Sequence, residues 1–254
     1  METENNFVVE SDLLFRMTLS EIVNKDFRTA QIFEKYNLDF CCRGNKSLSE
    51  VCFEKGLKSE QVLAELQNIE ISNKRDSVRF DEWELDFLID YIINNHHHYI
   101  RSINPLVSDL SAKVVSAHGT NHPELIKISE IFSGLSKDLT QHLMKEEQIL
   151  FPYIKNLVNV NNYKTKFELP YFSTVANPIR MMEAEHTSAG DEMFEIRELS
   201  NNYLIPKDAC NTFKVFYKEL KEFEEDLHKH VYLENSILFP KSIELEKTLL
   251  KNFR

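Results

Sequence analysis

Residues 142–152 read HLMKEEQILFP, and residues 230–240 read HVYLENSILFP. Both hold a histidine, a glutamate four positions later and an Ile-Leu-Phe-Pro ending, and both ligand-type residues recur at an offset of 88. An upstream histidine accompanies each segment: His97 lies 45 residues before His142, and His186 lies 44 before His230. Each half of the sequence therefore reads as a helix with a lone histidine, a loop, and a helix with His-x-x-x-Glu. A duplicated helical hairpin is the economical explanation.

The i, i+4 spacing puts His142 and Glu146 on one helix face, about 6 Å apart along the axis. That face is otherwise apolar. Leu135, Leu139, His142, Glu146, Ile149 and Tyr153 form one stripe, and Phe216, Phe223, Leu227, His230, Glu234 and Ile237 a second. Ile179, Met182, His186, Ala189, Met193 and Ile196 form a third. Such stripes look into a bundle core, where an ionised carboxylate costs several kcal/mol unless a cation compensates it. Two carboxylates and four imidazoles converging from four helices make a site for two metal ions, and the nitrogen and oxygen donors suit iron, manganese or zinc. One His-x-x-x-Glu alone reads as a surface pair; the duplication, the stripes and the two extra histidines carry the metal reading.

The first helix offers three consecutive histidines, His96, His97 and His98. His96 continues the row Leu88, Ile92, Tyr99, Ile103, and His97 the row Ile89, Ile93, Ile100, Val107, so periodicity does not separate them. The repeat favours His97, with His96 as the substitute. Glu185, beside His186, and Asp138, one turn before His142, are candidates for groups that orient the ligands. His118 and His122 fall in the loop AHGTNHPEL and read as solvated, and His228 should face away from His230.

The chain has 254 residues, 42% of them hydrophobic and 28% charged, with only five glycines and seven prolines. That composition points to helices. A net charge of −11 disfavours nucleic acid and anionic membranes as partners. The leading residues METENNFVVESD lack the regions of a signal peptide, and no apolar run approaches the length of a membrane span. Four cysteines do not make a secreted disulfide framework, so the expectation is a cytoplasmic protein with reduced thiols.

Residues 18–70 carry short helical patterns, within an N-terminal domain expected over 12–70. Thr18-Leu-Ser-Glu21 and Ser47-Leu-Ser-Glu50 have capping-box spacing, Gly56 ends one helix and Ser59 opens another. Residues 71–80 are polar and read as a linker. Longer patterns over about 82–117, 123–158, 174–202 and 207–249 predict a four-helix bundle spanning 81–250. Pro123 suits a first turn, whereas Pro105 and Pro152 should kink or locally end their helices. Residues 36–44, YNLDFCCRG, place Cys41 and Cys42 side by side near a glycine, a turn where both thiols are accessible. The pair reads either as small buried residues or as thiols handling metal or electrons.

On LDFCCRG, MEAEH, HLMKEEQILFP and HVYLENSILFP together, the chain resembles the RIC family, the di-iron proteins for repair of iron centres, over residues 12–242. The resemblance implies an all-α fold: a small N-terminal helical domain with vicinal cysteines, then a hemerythrin-like antiparallel four-helix bundle. It implies two non-haem iron ions, bridged by Glu146 and Glu234 and also by an oxo group, with His97, His142, His186 and His230 as the other ligands. The family's first ligand stands eight residues before a proline, which His97 and Pro105 satisfy; Arg43 departs from the family's frequent glycine. The implied function is repair of iron–sulfur clusters damaged by nitric oxide or peroxide, with Cys41 and Cys42 assisting transfer or reduction. Damaged cluster proteins and a reductant are the implied partners, and a homodimer is one assembly open to it. The alternatives are a di-iron nitric oxide or peroxide reductase, and an oxygen or nitric oxide sensor or store.

Overall fold

The computed structural model describes residues 13–71 and 78–252. Asp12, at the start of the expected first domain, and residues 72–77 of the expected linker lie outside the described residues. Among the described residues the structure is helical, with a single isolated β-bridge between Thr18 and Ser47. It separates into two compact units. One comprises the described residues through Trp83 together with Tyr232–Ile237; the other comprises Glu84–Val231 and the described residues from Leu238 onward.

In the first unit, α1 (Leu19–Lys25), α2 (Ala30–Lys35), α3 (Leu48–Glu54) and α4 (Ser59–Ile71) are short helices with well-made ends. Both capping boxes form. Thr18 Oγ1 accepts from the Glu21 amide while Glu21 accepts from the Thr18 amide, and Ser47 with Glu50 repeats the arrangement. Each such cap satisfies two amides that a helix start leaves open. Gly56 takes a left-handed φ of 62° beyond α3, and the Leu57 amide closes on the Cys52 carbonyl at 2.9 Å. The core of this unit gathers Leu19, Phe33, Phe40, Leu48 and Leu66, each at most 1% exposed. Phe80 joins it, edge-on to Phe27 and Trp83. Tyr232 stacks obliquely on Phe27 and donates to Asn24 Oδ1 at 2.6 Å.

The second unit holds most of a helical bundle. Its first helix runs through α5 (Leu85–Ile92), a π-helical turn at Ile93–His97 and α6 (His98–His118). Its second runs through α7 (Glu124–Lys145), a π turn at Glu146–Leu150 and α8 (Phe151–Tyr163). The third is α9 (Ala176–Leu199). The fourth runs through α10 (Asn211–Leu233), a π turn at Glu234–Leu238 and α11 (Phe239–Asn252). Pro105 sits inside α6 without ending it, whereas Pro152 stands in the first turn of α8, where its missing N–H costs little. The third stripe is wholly buried as expected, from Ile179 to Ile196. The first is not. Beyond Glu146 the extra residue of the π turn advances the buried face by one position, so Leu150 and Ile154 are buried while Ile149 is 38% exposed.

Two buried polar clusters tie the helices together. Arg197 on α9 makes a charge-assisted pair with Glu224 on α10, which also accepts from the Tyr203 hydroxyl at 3.0 Å. Glu246 on α11 accepts from the Val175 amide, the Thr174 hydroxyl and the Tyr153 hydroxyl, capping the start of α9.

Candidate metal centre

The duplicated segments bring their ligand-type residues to one place. His97, Glu146, His230 and Glu234 form one group of buried donors, and His142, Glu146, His186 and Glu234 a second. Within each group the donor atoms lie within 4.8 Å of one another, and both groups contain the same two glutamates. Glu146 Oε1 is 3.3 Å from His142 Nε2 and Oε2 is 3.4 Å from His97 Nε2, so its two oxygens face different groups. The Nε2 atoms of His142 and His186 are 3.1 Å apart. Two nitrogens bound at about 2.1 Å and at right angles on one ion would be about 3 Å apart. The donor set therefore fits two cations that share two carboxylates.

Carboxylates on neighbouring helices hold the outer edges of the rings. His142 Nδ1 lies 2.8 Å from Glu185 Oε2, and His97 Nδ1 lies 2.7 Å from Glu147 Oε1. Such a partner fixes the proton on Nδ1 and turns the Nε2 lone pair inward. The bond to His142, together with Lys145, which also donates to Glu185, holds the Glu185 carboxyl below its ordinary range. Each π turn abuts this centre: one ends at His97, and the others begin at Glu146 and Glu234. π turns redirect side chains without breaking a helix and recur at functional sites.

His96 is also buried, but its Nδ1 bonds Asp226 Oδ1 at 2.9 Å and it belongs to neither donor group. His96 and His97 both fall in the π turn at Ile93–His97, and both are buried. Asp138 lines a cavity of about 200 Å³ that opens onto His142 and His186, together with Glu185 and Glu192. Burial and the Asp138 charge raise the Glu192 carboxyl. His118 and His122 are not simply solvated. Both pack on Phe213, and His122 bonds Glu124 and Asp208.

The cysteine turn differs from expectation in one respect: Cys41 is buried, and only Cys42 is partly accessible. Cys41 Sγ lies 3.8 Å from Cys42 Sγ and donates to Asp39 Oδ1 at 3.4 Å. The contact with Cys42, burial and the Asp39 charge push the Cys41 thiol well above its usual range. Sequence reasoning missed Glu147, Asp226 and Asp39. Glu147 lies in HLMKEEQILFP and Asp39 in YNLDFCCRG, but their roles depend on which helix or turn they meet in space.

Four helices that gather two shared glutamates and four histidines in their core define a cation-binding bundle of the hemerythrin type. Residues 88–242 match the model of the hemerythrin HHE cation-binding domain, and residues 16–70 match a domain of unknown function, DUF542. The chain is 35% identical over 226 residues, 88% of its length and 95% of the relative's, to the probable iron-sulfur cluster repair protein of Haemophilus influenzae. It is 32% identical over 226 residues to the iron-sulfur cluster repair protein YtfE of Pectobacterium atrosepticum, covering 89% of this chain and 96% of that one. It is 31% identical over 216 residues to YtfE of Yersinia pestis, covering 85% and 91%. The chain belongs to the family of iron–sulfur cluster repair proteins. Among the described residues, no helix is long and apolar enough to cross a membrane.

Proposed function

We propose that this chain repairs damaged iron–sulfur clusters by supplying iron from a pair of ions held by His97, His142, Glu146, His186, His230 and Glu234. The observation that carries the reading is the placement of Glu146, whose two oxygens face histidines of different donor groups. Iron bound there supplies a readily exchanged, redox-active cation. The chain's own residues position it. Glu147 and Glu185 orient His97 and His142, and the apolar stripes of α7, α9 and α10 exclude bulk water. In this reading residues 81–250 hold the metal and residues 12–70, with the linker 71–80, present the cysteine turn. The protein acts in the cytoplasm, where a cellular reductant keeps the thiols reduced and recycles the iron.

The experiment is to incubate the iron-loaded chain with a cluster-dependent hydro-lyase inactivated by nitric oxide, without added iron. Recovery of hydro-lyase activity with matching loss of iron from the chain supports the proposal. Recovery only when free iron is added would overturn it. The cavity opening onto His142 and His186 favours one second reading, reduction of a small molecule such as nitric oxide at the same centre. Catalytic nitrous oxide formation by the reduced chain, with no hydro-lyase recovery, would select it.

A further inference from the structure

The cysteine turn is built more tightly than a chance pair of thiols requires. Asp39 Oδ1 accepts from the amides of Cys41 at 3.2 Å and Cys42 at 2.8 Å, so one carboxylate folds the backbone around both residues. Gly44 closes the turn, since a Cβ there would collide with the Phe40 carbonyl and the Ser20 hydroxyl. The Ser20 amide bonds the Gly44 carbonyl at 2.9 Å. Asn235, the residue after Glu234, donates to the Cys41 carbonyl at 3.1 Å. The two sulfurs and a carboxylate oxygen are thereby fixed within 4.8 Å of one another.

We propose that Asp39, Cys41 and Cys42 form a second cation site, one that takes a single thiophilic divalent ion such as zinc or ferrous iron. The spacing fits. Two sulfurs bound at about 2.3 Å on a tetrahedral ion are about 3.8 Å apart, which is the Sγ–Sγ distance observed. A sulfur and a carboxylate oxygen on the same ion would be about 3.6 Å apart, against 3.4 Å here. Two soft thiolates beside one carboxylate suit a thiophilic ion, unlike the all-nitrogen-and-oxygen donor set of the bundle. Binding is an exchange: two S–H bonds are lost, two metal–sulfur bonds form, and two protons leave to solvent. No electron moves.

The test is an anaerobic titration of the reduced full-length chain with cobalt(II), which shows a near-ultraviolet sulfur-to-metal absorption only when thiolates bind it. The expected result is a saturating band whose final intensity corresponds to one thiolate-bound cobalt per chain, with two thiol protons released for that ion; cobalt on the nitrogen and oxygen donors of the bundle adds nothing to this band. Cys41→Ser and Cys42→Ser should each weaken the cobalt binding read at this band at least tenfold. Cys210→Ser, which removes the exposed thiol elsewhere, should leave the band intact. A second measurement needs no variant: phenylarsine oxide condenses with two neighbouring thiols, releasing water, and should abolish the band in the wild-type chain. Absence of the band, or a band that disappears with Cys210→Ser, would overturn the proposal. The site stands apart from the repair reading: failed cluster recovery with the band intact would remove that reading alone.

Discussion

At the level of single residues, the first helix shows where the sequence stops deciding. His96 and His97 both continue apolar rows, and both are buried. What separates them is the partner on another helix: Glu147 for His97 and Asp226 for His96. Neither pairing can be read from a one-dimensional pattern, because each depends on how two helices meet. His97→Ala should therefore lower bound iron by at least half, whereas His96→Ala should keep the stoichiometry, as read by metal analysis of the purified chains. Equal retention in both would place the ligand elsewhere. Cys210 gives a second residue-scale expectation. It stands just before α10, where the Phe213 amide donates to its sulfur and His118 lies beside it, and its thiol is brought down to about 7. Above that value the thiolate dominates, so iodoacetamide should label Cys210 first, with a rate that rises through half its plateau near pH 7. Burial raises the Cys52 thiol, which should stay unlabelled until the chain unfolds. Faster labelling of Cys52 in the folded chain would contradict both assignments.

At the level of elements, the duplicated hairpin was legible because its signal lies in spacing: four histidines, two glutamates and three apolar stripes at helical period. The capping boxes at Thr18 and Ser47 were equally legible, being local chemistry. The π turns were not. A single inserted residue changes the phase of everything after it, and nothing in the residue types of EEQIL announces the insertion. The consequence is measurable at two adjacent positions. Periodicity from Leu135 and Leu139 assigns Ile149 to the core, yet Ile149 is 38% exposed and Leu150 only 1%. Leu150→Ala should cost about 2–5 kcal/mol, the usual range for a leucine emptied from a packed interior. Ile149→Ala should stay within about 1 kcal/mol, as a partly exposed position does. Urea unfolding of the two variants checks this, and the reverse ranking would mean that the helix runs without its π turn.

At the level of the whole molecule, the bundle violates its own local rules in one place. Glu146 and Glu234 are fully buried beside His97, His142, His186 and His230, in a core that is otherwise largely apolar. A buried carboxylate is a stability cost that function retains, and it falls on the chain whenever the cation is removed. Metal should therefore stabilise the protein by mass action, and chelation should lower its Tm. The stronger expectation concerns the metal-free state. Glu146→Gln/Glu234→Gln keeps the volume of both side chains and removes both charges. The metal-free double variant should be more stable than metal-free wild type by about 2 kcal/mol, which is roughly 5 °C in Tm for a chain of this size. It should also fail to gain stability when metal is added. Calorimetry with and without iron reads both effects. An ordinary buried polar network gives the opposite pattern, in which the substitutions destabilise the chain whether or not metal is present. That outcome would mean that the glutamates serve packing, and the case for a cation between the two halves of the bundle would fall.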